Sequence, residues 1–154
     1  MNGLHNFDDL VVSTALVRPG SYITQGKTYV AVRDGHKAAQ YDHDILKGIL
    51  ESTHGTFIFE EQVMMIAVEL AGFTWGEADK LRKIISKKKD QKEFDQYLDK
   101  FVNGAKRYIS EQQALKLWKQ IEKASLYMFN MSHASGYSIM SYQTMWLKVN
   151  YPLE

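Results

Sequence analysis

The 154-residue chain contains no cysteine. Disulfides and thiolate metal sites are thereby excluded, and a reducing compartment fits the composition. Only two prolines occur, Pro19 and Pro152, so the long stretch between them can run as helix without a proline break. No run reaches the roughly 18 uncharged apolar residues that a membrane-spanning helix needs, and no membrane partner is expected. Residues 1–9 show neither a basic n-region nor an apolar core, so a secretory signal is not read there and a cytoplasmic protein is expected. Net charge is almost missing too: 19 basic residues stand against 18 acidic ones, for a formal +1. The bulk number therefore says nothing about nucleic acid.

What is present is more telling. Hydrophobic residues make up 45% and charged residues 24%, the balance of a globular chain, read here as one domain over 1–154. The charge is unevenly spread. Between Lys80 and Lys92 seven basic residues face one acid, Asp90, while Glu60, Glu61, Glu69 and Glu77 precede the run. Such a block makes a local positive field that the total conceals.

The hydrophobic spacing predicts a mainly α, multi-helix domain with an irregular loop section near the N-terminus. Phe7 to Val17 reads as a first helix capped by Asp8 or Asp9. Ser21 to Gln40 carries Gly26, Gly35 and the β-favouring Tyr29-Val30-Ala31-Val32, which predicts a loop with at most a short strand. Asp44 to Glu51 is a short helix. Glu60 to Leu70 is a strong one, with Val63, Ile66, Ala67 and Leu70 on its apolar face. Thr74 and Glu77 form a capping box that opens a helix through the basic cluster to about Lys88. One helix is expected from Lys92 to Tyr108, and another after the capping box of Ser110 and Gln113. Phe129 to Ser135 reads as a polar interruption before a last helix, Tyr137 to Val149. Met64, Met65, Met128, Met131, Met140 and Met145 are read as core filler. Tyr142 and Trp146 fit a core stripe better than a base-stacking pair.

Five segments taken in order carry a resemblance. They are Asp8-Asp9-Leu10-Val11 with Ala15-Leu16-Val17-Arg18-Pro19-Gly20; Gly55 through Met64; Leu70-Ala71-Gly72-Phe73 through Asp79 with Leu81-Arg82-Lys83 and Lys87-Lys88-Lys89; Phe129-Asn130-Met131-Ser132-His133-Ala134; and Ser141 through Lys148 with Tyr151-Pro152. Together they resemble the fingers region of the C-family bacterial replicative DNA polymerases, the polymerase III alpha type. The chain departs from that pattern at several points: Glu60 stands where the family has Gln, Lys83 replaces an Arg, Ser86 a Gly and Met131 a Lys, and Leu126 and Met128 replace glycines. The departures suggest a divergent, phage-encoded member.

The resemblance implies an excerpt of a nucleotidyltransferase. Its partners would be primer-template DNA, a dNTP and a palm supplied in cis or in trans. Mg2+ is expected at that palm and no cofactor on this chain, which alone should not extend a primer. Asp42-His43-Asp44 is a D-x-D, but it reads as turn aspartates ahead of a helix. The histidines lack metal-ligand spacing, so no metal site is assigned.

Fingers offer cations to the triphosphate, where charge develops during transfer. Arg82 is the first candidate, since its fork can engage two phosphate oxygens. Lys83 is the second, and Lys87 and Lys89 follow on the same helix. Arg18, at the junction before Pro19, reads equally as a phosphate ligand and as a structural contact. Asn130, Ser132 and His133 read either as loop-stabilising caps or as contacts to nucleotide or template. Two other function classes stay open: a free-standing helical nucleic-acid-binding module, and a structural interaction protein with a merely solubilising basic cluster.

Overall fold

The computed structural model describes residues 3–86 and 91–152; Lys87 and Lys89 lie outside them. Most described residues are helical and none lies in a strand, in agreement with the mainly α reading. The only β pairing among them is a single parallel bridge between Phe59 and Phe129.

Helix α1 (Phe7–Leu16) is capped by Asn6, whose side chain accepts from the Asp9 amide at 2.8 Å. Neither Asp8 nor Asp9 serves as the cap. Asp9 is instead buried, taking the Tyr29 hydroxyl at 2.9 Å and the His5 amide at 2.8 Å. The expected irregular section is largely helical. It runs as α2 (Pro19–Ser21), a π-helical turn (Tyr22–Gly26) and α3 (Lys27–Arg33). Local β preference at Tyr29 to Val32 loses because tertiary burial outweighs propensity. Tyr29 is 3% exposed and anchored on Asp9. Gly26 has a helical φ of −61° and turns nothing. It gives clearance, since a Cβ there would come within 2.8 Å of the Tyr22 ring.

Then follow α4 (Asp44–Leu50), a 3-10 turn (Glu51–Thr53) and α5 (Glu60–Glu69). His43 caps α4 through its ring nitrogen, which accepts from the Ile45 amide at 3.1 Å. Helix α6 (Trp75–Ser86) opens on the Thr74 and Glu77 capping box as expected. The single helix expected from Lys92 to Tyr108 is broken into α7 (Gln91–Asp95) and α8 (Leu98–Ala105), with a turn at Gln96 and Tyr97. The break lets Phe94 and Phe101 both reach Trp118, at ring separations of 4.4 and 5.0 Å. Helix α9 (Glu111–Ser125) carries the Ser110 and Gln113 box, and α10 (Met131–Asn150) starts six residues before the expected Tyr137.

Two apolar cores result. The larger joins α4 to α9 around Ile66, Leu70, Leu81, Phe101 and Trp118. The smaller joins α1, α3, Ile58, Phe59 and Ala134. Most of α10 belongs to neither. Met131, Met140, Met145, Tyr142 and Trp146 are all exposed, so the core-filler reading fails for those methionines and the core-stripe reading for the aromatic pair. Met128 does fill the core, at 7% exposure. No helix among the described residues is long and apolar enough to cross a membrane.

Candidate functional site

Helix α6 begins on a doubly held glutamate. Glu77 accepts from the Thr74 amide at 2.9 Å, and Thr74 accepts the Glu77 amide in return at 3.3 Å. Lys100 of α8 pairs with the other carboxylate oxygen while its ammonium lies 4.9 Å above the Phe73 ring. The Lys100 ammonium, with help from Thr74, draws the Glu77 carboxyl down to about 2. Ala78 and Leu81 are fully buried, which fixes the rotation of α6 and leaves Lys80 and Lys83 outside and Arg82 at the edge.

Arg82 is not a loose cation. Its Nε and Nη2 donate to Asp79 Oδ1 at 3.1 and 2.8 Å, and its Nη1 donates to Glu60 Oε2 at 3.3 Å. These bonds use three of the five N–H groups a guanidinium carries. The side chain stays 25% exposed. Lys83 closes on the same Asp79 at 2.6 Å and is 57% exposed. Lys83 first and Arg82 second hold the Asp79 carboxyl below the usual carboxylate range, and Asp79 in turn raises Arg82.

The first turn of α5 connects this corner to the second group of candidates. The Glu60 amide donates to the Phe129 carbonyl at 3.0 Å, and the Phe129 amide donates to Ile58 at 3.0 Å. Glu61 takes the Asn130 side-chain amide at 2.6 Å and the Met131 backbone amide at 3.0 Å. Asn130 caps α10 by accepting from the His133 amide at 2.9 Å. Asn130 thus has the structural task that cap chemistry allows. Ser132 is exposed in the same first turn. The His133 ring lies 5.4 Å from Phe129 and 4.6 Å from Tyr137. Arg18 joins from α1's end, its guanidinium 5.5 Å from the Phe129 ring centre.

The fold therefore gathers Arg82, Arg18, Asn130 and His133 around Glu60, Glu61 and Phe129, residues far apart in sequence. Lys83 stands on the outer side of Asp79. Two organisers escaped sequence reading. Glu61 looked like one more acid. Gln62, 4% exposed, takes the Ile58 and Phe59 amides at 2.9 and 3.0 Å and donates to Thr53 at 2.7 Å. A glutamine at the third helical position was the available signal for Gln62. Among the described residues no three His, Asp or Glu side chains are grouped to hold a metal ion.

Residues 4–108 match the family model described as the bacterial DNA polymerase III alpha subunit finger domain. Over nearly its whole length the chain is similar to curated proteins named DNA polymerase III subunit alpha. It is 42% identical to that of Aquifex aeolicus over 97% of the chain, 44% to that of Rickettsia felis over 95%, and 38% to that of Escherichia coli over 96%. It spans only 12–13% of the length of those relatives. A match over more than half of the chain makes this chain a member of the bacterial DNA polymerase III alpha subunit finger domain family.

Proposed function

We propose that the chain forms the fingers of a DNA-directed DNA polymerase, meeting the incoming dNTP and the primer-template while a palm, in cis or in trans, carries out nucleotidyl transfer. The observation that carries this reading is the Arg82 guanidinium, held by Asp79 and Glu60 yet partly open to solvent, in a chain of this family. A guanidinium fixed by two carboxylates loses little freedom when it receives an anion, which is how a preorganised site stabilises developing charge. Its remaining N–H groups would donate to triphosphate oxygens. Lys83 would add a point charge beside it, and Arg18 and His133 would border the nucleotide or template from the α10 side. Mg2+ held by the palm would activate the primer 3′ oxygen and neutralise the departing pyrophosphate. This chain's residues bind and orient.

The test is to place this chain in a relative's polymerase in exchange for the matching stretch. Arg82→Ala is expected to lower kcat/KM for dNTP by about 10- to 150-fold, the loss of one charged hydrogen-bonded contact. Arg82→Lys keeps the charge and is expected to recover only part of that loss. Lys119→Ala, on an exposed face of α9, is the control and should change little. If Arg82→Ala alters only DNA affinity and its salt dependence, the triphosphate role is wrong and the helix tracks the DNA backbone.

A further inference from the structure

The last half of α10 is an uncovered apolar rod. From Ile139 to Val149 seven apolar side chains are between 48% and 70% exposed. At about 100° per residue they divide around the helix axis. Tyr142, Met145 and Val149 fall on one flank and Met140 and Leu147 on the opposite one. Ile139 and Trp146 lie between, and the whole sweep covers about 220°. Ser141, Thr144 and Lys148 make the one polar line along the helix, while Gln143 and Asn150 stand inside the apolar sweep. Two of these polar groups are spent on the helix itself. Thr144 Oγ1 donates to the Met140 carbonyl at 2.8 Å, and Asn150 Nδ2 donates to the Trp146 carbonyl at 2.7 Å. Helix α1 covers the first flank only at its beginning. The buried Ser138 hydroxyl lies 3.0 Å from that of Thr14, and Tyr142 meets Phe7, the first residue of α1, at a ring separation of 6.4 Å. Past that point Met145 and Val149 are bare.

The width of the sweep decides what covers it. A helix on the edge of a globule turns a stripe of about 100° to its core, and a helix pairing with its own copy uses a narrower seam. A second copy would therefore leave one flank in water. A helix apolar nearly all round belongs inside a larger body or a membrane. Lipid does not fit: no helix among the described residues is long and apolar enough to cross a membrane. A helix lying on a lipid surface needs a strongly basic polar face, and here Lys148 is the only cation beyond Ile139. More protein does fit. The similarity to the polymerase subunits takes in α10, and this chain spans only 12–13% of their length. We infer that Ile139 to Val149 form a wedge seated in an apolar groove with two walls, one against each flank, built by polymerase polypeptide outside this chain. The inference rests on the fingers reading. Ser141, Thr144 and Lys148 lie along the groove's open side.

The experiment compares hydrogen exchange, read peptide by peptide, in the isolated chain and in the chimera that carries it within a relative's polymerase. Amides of residues 139–150 are expected to exchange at least about 100-fold more slowly in the chimera. Two double variants probe the flanks: Met145→Glu with Val149→Glu, and Met140→Glu with Leu147→Glu. Each puts carboxylates against an apolar wall and is expected to cancel most of that protection in the chimera. In the isolated chain the same pairs face water and should leave the melting midpoint within about 2 °C, which separates a docking surface from a structural role. Ser141→Glu with Thr144→Glu, on the open side, should keep the chimera's protection. Fast exchange at 139–150 in a chimera that incorporates dNTP overturns the groove and leaves the fingers reading standing. Protection in a chimera indifferent to Arg82→Ala supports the groove and counts against the triphosphate role alone. Sensitivity to only one flank pair overturns the two-walled groove. Protection that appears in the isolated chain as its concentration rises, or on adding phosphatidylserine vesicles, assigns the rod to a second copy or to lipid and overturns the inference as well.

Discussion

Glu60 sits opposite Arg82 with its side chain 10% exposed, and a glutamine there would keep the shape while removing the charge. Glu60→Gln is expected to leave the fold intact and to strengthen binding of free pyrophosphate roughly two- to fivefold, the scale of a partly exposed ion pair. Isothermal titration of both forms checks it; a weaker pyrophosphate affinity in the variant would mean that Glu60 helps by aiming Arg82 more than it hinders by charge. Glu77 sets a pH dependence. Its folded carboxyl titrates at about 2, below the usual value of 4.5, so the stability it supplies is complete above about 4.5 and drains away as pH falls towards 2. Melting curves of the chain and of Glu77→Gln should differ at neutral pH and converge across that acid range. The Glu77 box was legible in the sequence because a capping box is a local pattern, Thr74 to Glu77. The Arg82 pairing with Glu60 was not, since 22 residues separate the partners and only the packing of α5 on α6 brings them together.

Among the elements, α8 approaches the end of α5 at one glycine. A Cβ on Gly104 would stand 1.9 Å from the Ala71 carbonyl oxygen, closer than any backbone contact tolerates. Gly104→Ala must push α8 away from the larger core and is expected to cost at least the roughly 1–3 kcal/mol of an overpacked interior. Urea unfolding measures it, and a change below about 0.5 kcal/mol would show that the helices separate freely there. Helices with a strong apolar period, such as α5 and α9, were legible in outline from their sequence alone. The stretch from Ser21 to Arg33 was not. Its residues favour strand or turn locally, and the burial of Tyr29 against Asp9 decides for helix. The break between α7 and α8 was equally silent, because Gln96 and Tyr97 carry no breaker signal and the turn serves the stacking of Phe94 and Phe101 on Trp118.

At the scale of the whole molecule, burial is concentrated before Ser138. That residue, fully buried, lies 3.0 Å from the Thr14 hydroxyl and ties α10 to α1. Beyond it, Ile139, Met140, Tyr142, Met145, Trp146, Leu147 and Val149 are all about half exposed or more. Hydrogen exchange in the isolated chain should therefore be slow in α5 and α9 and fast at residues 143–150, where few tertiary contacts oppose local opening. Uniform protection along α10 would contradict that division. The first turn of α5 bears differently on the whole. Neighbours on a helix diverge by about 100° around its axis, so Glu60 addresses α6 while Glu61 addresses the start of α10. Two distant parts of the molecule are thereby keyed to one shaft, and their phase is set by chain length rather than by side-chain chemistry. A residue inserted between Glu60 and Glu61 would turn one key against the other by more than a quarter of a circle, whereas one inserted among residues 35–39 would only lengthen a loop. The stretch around α5's start has no slack in length.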